Sequence, residues 1–130
     1  MSHGLPALVT ALNVVLMFVT MYLVGRARMR YGVKAPATTG NPDFERVLRV
    51  QMNTLEASAM FLPSLWLFAL YLSSVWAGVL GMLWILGRIL FTAGYMRAAD
   101  KRGTGFMIGF VANALLLLGA FWGLLRMALS

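Results

Sequence analysis

Residues 57–87 read ASAMFLPSLWLFALYLSSVWAGVLGMLWILG, 31 positions without a charge. That length decides the fold. One membrane-spanning helix needs about 20 apolar residues and two need about 40, so the stretch is too long for one span and too short for two. Two helices fit only if neighbouring polar positions are drawn into the bilayer. Ser73 and Ser74 mark the place to turn. The second helix is then expected from Asp43 or Phe44 to about residue 72, and the third over about 76–96. Arg46, Arg49, Asn53 and Glu56 come to lie within or beside the membrane.

Outward from this stretch, Leu5 to Gly25 and Gly103 to Leu125 are apolar runs of 21 and 23 residues. At about 1.5 Å per residue each crosses a hydrocarbon layer about 30 Å thick. The expected fold is an all-α integral membrane protein, one four-transmembrane-helix bundle over 1–130 with spans at about 5–27, 44–72, 76–96 and 104–127. Composition agrees: 61% of residues are hydrophobic and 12% charged, against about 25% charged in soluble domains. The first run has no Lys or Arg before it and no small-residue cleavage site after it, so a removed signal peptide is not expected. Pro63 falls inside the second span, where it is expected to kink the axis.

Nine of the eleven basic residues flank the first and third connections, Arg26, Arg28, Arg30, Lys34, Arg46 and Arg49 on one and Arg97, Lys101 and Arg102 on the other. The positive-inside rule puts both connections in the cytoplasm and both termini on the opposite side. Membrane topology also accounts for the net charge of +7, so no nucleic-acid partner is expected. The chain has no cysteine and one histidine, His3, which reads as a solvated terminal residue. No metal site or thiol nucleophile is available, and any thiol chemistry must use a bound thiol.

Arg46, Arg49, Asn53 and Glu56 are spaced by three, four and three positions, which places them within about an 80° arc of one helix face. Charges at bilayer depth face a bundle interior or a wet cavity and find partners there. The stripe is therefore either a ligand site, an ion-pair network between helices, or the solvated first turns of a protruding helix. Arg88 sits among Ile85, Leu86, Ile89 and Leu90 and must find Glu56, another acceptor or a ligand anion, because lipid offers none. Tyr95 lies seven residues on, and Arg97 and Arg102 follow. Cations, one carboxylate, an amide and a phenol so collected suit an anionic, amide-bearing ligand. On the last helix Gly105, Gly109 and Asn113 recur at every fourth position, as do Gly119 and Gly123, a small-residue pattern for close helix packing.

The run Phe44-Glu45-Arg46-Val47-Leu48-Arg49-Val50-Gln51-Met52-Asn53-Thr54-Leu55-Glu56, followed by Phe61-Leu62-Pro63, resembles the second helix of the MAPEG family, the membrane-associated proteins in eicosanoid and glutathione metabolism. Gly87-Arg88-Ile89-Leu90-Phe91-Thr92-Ala93-Gly94-Tyr95-Met96-Arg97, ending at Lys101-Arg102, is similar to that family's third helix and following loop. The resemblance implies a homotrimer that binds glutathione as co-substrate between subunits and adds its thiolate to lipophilic electrophiles, with peroxidase activity as a further capacity. By the same likeness Arg49, Asn53 and Glu56 grip the tripeptide, and Arg88 and Tyr95 add contacts. Gln51, roughly opposite Arg49 on the helical wheel, would serve the neighbouring subunit's site, and Arg28, with Arg26 and Arg30 as alternatives, would enter from the first helix. Arg102 is the expected catalytic residue, stabilising the thiolate, with Arg97 and one of Arg26, Arg28 or Arg30 as alternatives.

Two departures qualify the likeness. Ala57 stands where eicosanoid-forming members often carry an aromatic residue, and Phe91 where some carry tyrosine. They favour a general, detoxifying glutathione transferase over leukotriene or prostaglandin synthesis. A degenerate member serving as a membrane scaffold or lipid-binding protein is the alternative. A small multidrug transporter is the remote one, since the first span has no acid. The bare four-span body suggests a bacterial inner membrane.

Overall fold

The computed structural model describes residues 3–130, and their regular structure is helical. Helix α1 is Gly4–Tyr31, α2 is Pro42–Tyr71, α3 is Ser74–Arg97 and α4 is Gly103–Ala128, with a single 3-10 turn, Ala99–Arg102, ahead of α4. All four helices are long and apolar enough to cross a membrane. Their outward faces carry large apolar side chains, such as Phe18, Leu118, Phe121 and Trp122, each more than half exposed. A soluble monomer rarely leaves so much apolar surface in water. The chain is a multi-pass membrane protein.

Each helix boundary has a local cause. Gly32 adopts a left-handed conformation, φ 68°, at the end of α1, and the Val33 amide returns to the Arg28 carbonyl at 3.1 Å. This backbone cap is closed by an apolar contact, since Val33 packs with Val24, Ala27 and Phe44. Asn41 starts α2, its side-chain oxygen accepting from the amides of Asp43 at 2.9 Å and Phe44 at 3.0 Å, with Pro42 at the first helical position, where no amide hydrogen is needed. Ser73 caps α3 through the amide of Trp76. The α2–α3 turn thus falls at the paired serines. Helix α2 continues through Pro63, and next to it the Ser64 hydroxyl donates to the Met60 carbonyl at 2.8 Å.

Helices α1 and α4 each pack on both α2 and α3. The core is a column of Val9, Leu16, Phe61, Leu65, Trp84, Ala112 and Leu116, in which the Phe61 and Trp84 rings stack 3.8 Å apart and nearly parallel. Hydrogen bonds cross the bundle where apolar packing alone would leave the helices free to slip. Asn13 donates to Ser58 at 3.1 Å, Trp66 to Thr10 at 3.0 Å, and Asn113 to Ser64 at 3.1 Å. Each is worth about 0.6 kcal/mol on average in a membrane, so they fix register more than they add stability. His3 departs from expectation. Its ring lies 3.1 Å from the Ser74 hydroxyl and edge-on to Trp66, so it ties the start of α1 to the start of α3.

The closest helix pair is α3 with α4, and glycine makes it so. A Cβ on Gly105 would collide with the backbone of Phe91 and stand 2.6 Å from the Gly87 carbonyl, while one on Gly87 would stand 2.7 Å from the Gly109 amide. Near the end of α3, a Cβ on Gly94 would collide with the Lys101 carbonyl. That bare position lets the 3-10 turn fold back over α3, and it brings Arg102 to Tyr95.

Candidate functional site

The polar stripe of α2 opens into a cleft of about 390 Å³ at the end of the bundle where the first and third connections lie. Arg49, Asn53 and Glu56 line it from α2, Phe91 and Tyr95 from α3, and Arg102 and Phe106 from the 3-10 turn and α4. These side chains come from four elements, and the bundle alone brings them together. Arg102 stands 5.3 Å from the centroid of the Tyr95 ring, a distance at which a guanidinium is attracted to an aromatic face. Phe91 meets Tyr95 edge-on at 5.4 Å and is itself buried, so the Tyr95 ring is held on two sides.

Arg88 lies beneath this cleft, and of the partners expected for it the structure supplies other acceptors in place of Glu56. It is 3% exposed and does not pair with Glu56. Its guanidinium donates to Asn53 Oδ1 at 3.0 Å and to Thr54 Oγ1 at 2.8 Å, and it lies over the Phe91 ring at 4.1 Å. The reason is direction: Thr54 is buried on the face of α2 that meets α3, whereas Glu56 is on an exposed part of the same helix. Neutral oxygens take the two terminal nitrogens and an aromatic face meets the guanidinium plane, while Nε finds no partner among the described residues, and Glu56 is left to line the cleft. Arg46 leaves the stripe altogether. It binds Asp43 at 2.6 Å on an exposed turn, outside the cleft.

Two expected site residues lie elsewhere. Gln51 lines a separate groove between α1 and α2, beside Met17, Thr20 and Leu55. Arg28 donates to the Ala37 carbonyl at 2.9 Å and lies over the Phe44 ring at 4.9 Å, engaged with the first connection. Neither reaches the cleft of its own subunit. Arg97 is exposed at the end of α3 and is not among the cleft residues.

A second, apolar cavity of about 400 Å³ adjoins the first and shares Asn53, Glu56 and Phe106 with it. Trp84, Phe110 and Leu117 form its walls, and Ala57, Gly109, Asn113 and Ala114 face it as well. Polar cleft and apolar cavity thus lie side by side, with Asn53, Glu56 and Phe106 as their common wall. Sequence reasoning missed Thr54, Phe106 and the apolar half. Thr54 stands one residue from the stripe, and its hydroxyl amid apolar positions was the available signal.

A family model, the MAPEG family, matches residues 6–122. The chain belongs to the MAPEG family. Human microsomal glutathione S-transferase 2 is 48% identical over 98 residues, covering 75% of this chain and 67% of that protein. A Synechocystis protein of uncharacterised function is 56% identical over 120 residues, 92% of this chain and 88% of its own. Leukotriene C4 synthase of Cavia porcellus is 38% identical over 99 residues, 76% of this chain and 66% of that enzyme. As a MAPEG protein, the chain sits among relatives that include a named glutathione S-transferase. Ala57 faces the apolar cavity and Phe91 the polar cleft, neither with a hydroxyl to offer.

Proposed function

We propose that this protein is a membrane-bound glutathione S-transferase that joins the glutathione thiolate to lipophilic electrophiles, with peroxide reduction as a second capacity. The observation that carries it is the pair of adjoining spaces, one lined by Arg49, Asn53, Glu56, Tyr95 and Arg102 and the other by apolar side chains. Glutathione has two carboxylates, an ammonium, two amides and a thiol. Arg49 suits a carboxylate, Glu56 the ammonium, and Asn53, held by Arg88, an amide. The electrophile partitions from the lipid into the apolar half, and proximity then replaces an elaborate proton relay.

Arg102 supplies the activation in this reading. A free thiol with pKa about 8.5 is mostly protonated at pH 7. Bringing it to about 7 takes roughly 2 kcal/mol, and a charge at about 4 Å in an effective dielectric near 20 provides about 4 kcal/mol. Solvent screening around exposed Arg102 reduces that figure, and about half of it suffices. The thiol proton passes to water, the sulfur lone pair forms the bond to carbon, and the leaving group departs with its electrons. With an activated alkene, the π pair moves to the neighbouring carbon and takes a proton from water.

The reading includes assembly. Gln51 and Arg28 reach a cleft only if another copy supplies them, as in a homotrimer with sites between subunits. The basic connections and the cleft then face the cytoplasm, in a bacterial inner membrane. Ultraviolet difference absorption during titration with glutathione tests the core of the proposal. A saturable thiolate band that disappears in Arg102→Ala is expected. No band, with no heat of binding by calorimetry, would overturn it and favour a scaffold role.

A further inference from the structure

Besides Asn53, which it shares with the cleft, the apolar cavity is bordered by one amide, the half-buried Asn113 of α4. Ten residues into a helix that rises about 1.5 Å per residue, it lies about 15 Å from the start of α4, at hydrocarbon depth. A polar side chain there is costly unless its groups are satisfied. One of them is. Asn113 Nδ2 donates to Ser64 Oγ at 3.1 Å, and the Ser64 hydroxyl hydrogen is already given to the Met60 carbonyl at 2.8 Å. Ser64 can therefore only accept from Asn113, which fixes the amide with nitrogen toward α2. Among the described residues no donor reaches Asn113 Oδ1, while the side chain borders the cavity.

The anchored amide leaves its acceptor as the unclaimed atom, on a part of the cavity walled by Trp84, Phe110 and Leu117, with Asn53, Glu56 and Arg88 as the cavity's other polar residues. We infer that Asn113 selects electrophiles whose apolar chain carries a hydroxyl or hydroperoxyl group, accepting its hydrogen at the inner end of the cavity. The inference rests on the glutathione-transferase reading of the adjoining cleft. Phe106 borders both spaces and lies seven residues before Asn113, so the chosen oxygen stands on the order of 10 Å along the chain from the reacting carbon. Fully hydrocarbon chains would leave Asn113 Oδ1 unpaired on binding, which is the penalty that yields discrimination.

The test uses two activated alkenals of equal length, one plain and one with a hydroxyl at its far end, with the full-length protein in lipid nanodiscs. Wild type is expected to show a KM about tenfold lower for the hydroxylated chain at similar kcat. Asn113→Leu should erase that difference by raising the hydroxylated KM alone. Ser64→Ala breaks the same interhelical bond but keeps the amide, and it should retain most of the preference. Equal KM values in wild type, or equal losses in both variants, would overturn the inference and reduce Asn113 to a helix contact. A binding measurement without glutathione separates this from the parent reading. A saturated alcohol and a saturated hydrocarbon, each brominated mid-chain, are compared by quenching of Trp84 fluorescence in protein whose other three tryptophans, Trp66, Trp76 and Trp122, are replaced by phenylalanine. Tighter quenching by the alcohol, lost in Asn113→Leu, supports Asn113 even if no conjugate forms, and identical quenching overturns it even if conjugation proceeds.

Discussion

Arg88 Nη1 donates to Asn53 Oδ1 at 3.0 Å, which couples the one buried arginine of α3 to an amide that lines the polar cleft from α2. The second bond, to Thr54 at 2.8 Å, fills the neighbouring acceptor. Arg88→Ala leaves both oxygens without their donor and opens a void beneath Phe91. Hydrogen bonds to charged groups are worth about 1.5–3 kcal/mol, so a stability loss of about 2–4 kcal/mol is expected in thermal denaturation in detergent. Glutathione binding should weaken as well, because Asn53 is released to rotate. Arg88→Lys restores little, since an ammonium lacks the planar fork that spans both oxygens. Full stability in Arg88→Ala would show that the contact is dispensable.

Among the charges of the cleft, binding and activation should separate. Arg49→Ala and Glu56→Ala each remove one charge-assisted contact, and a tenfold to hundredfold rise in Kd for glutathione corresponds to the usual 1.5–3 kcal/mol. Arg46→Ala is the control. Its guanidinium is engaged with Asp43 on an exposed turn, where such a pair contributes less than about 1 kcal/mol, and no change in Kd is expected.

Arg102→Ala should act on rate through protonation, and pH reveals it. A cation beside the thiol stabilises the thiolate and lowers its pKa, so removing the cation returns that pKa toward about 8.5. Below it, turnover of the variant falls tenfold for each unit of pH; if the native shift is about 1.5 units, the deficit is about fifteenfold at pH 7 and approaches about thirtyfold below pH 6. Above pH 9 the two proteins should converge. A constant deficit across pH would assign Arg102 to binding rather than to ionisation.

How much of this was readable beforehand depended on whether a residue's role is set along its own helix or across two. The α2 stripe was legible because Arg49, Asn53 and Glu56 recur at the helical period, and the α2–α3 turn was legible because residues 57–87 have the wrong length for one span or two. The partner of Arg88 was not. Choosing Asn53 and Thr54 over Glu56 depends on how α2 is rotated against α3, and that rotation follows from ring stacking of Phe61 on Trp84 and from glycine contacts farther along. His3 was misread for the same reason. Its neighbours, Ser74 and Trp66, lie on other helices.

The glycines of α4 look equivalent in the sequence and are not so in the bundle. A Cβ at Gly105 would meet Phe91 backbone, which cannot yield, whereas one at Gly109 would stand 3.7 Å from the Arg88 side chain and 3.8 Å from Trp84. Gly105→Ala should therefore force α3 and α4 apart at a cost of about 1–3 kcal/mol and displace Phe106 from the cleft. Gly109→Ala should be neutral or slightly stabilising, because alanine has the better helix propensity. Thermal midpoints of the two variants in one detergent decide the matter, and equal losses would mean that the α3–α4 approach is looser than the structure has it.

If sites are shared between copies, two crippled variants should repair one another. Gln51 lines the α1–α2 groove, away from the cleft of its own subunit that Arg49 lines. In a closed ring with heterologous contacts, each site takes the Arg49 face of one subunit and the Gln51 face of its neighbour. Co-expressed Arg49→Ala and Gln51→Ala subunits then mix, and random assembly leaves roughly a quarter of the sites with both faces native. Glutathione titration of the mixed assembly should reveal that fraction as a tight class absent from either variant alone. Mixing the two variants after separate purification, without subunit exchange, should show no such class. A co-expressed sample with only weak sites would place Gln51 outside the binding site, or the whole site within one subunit.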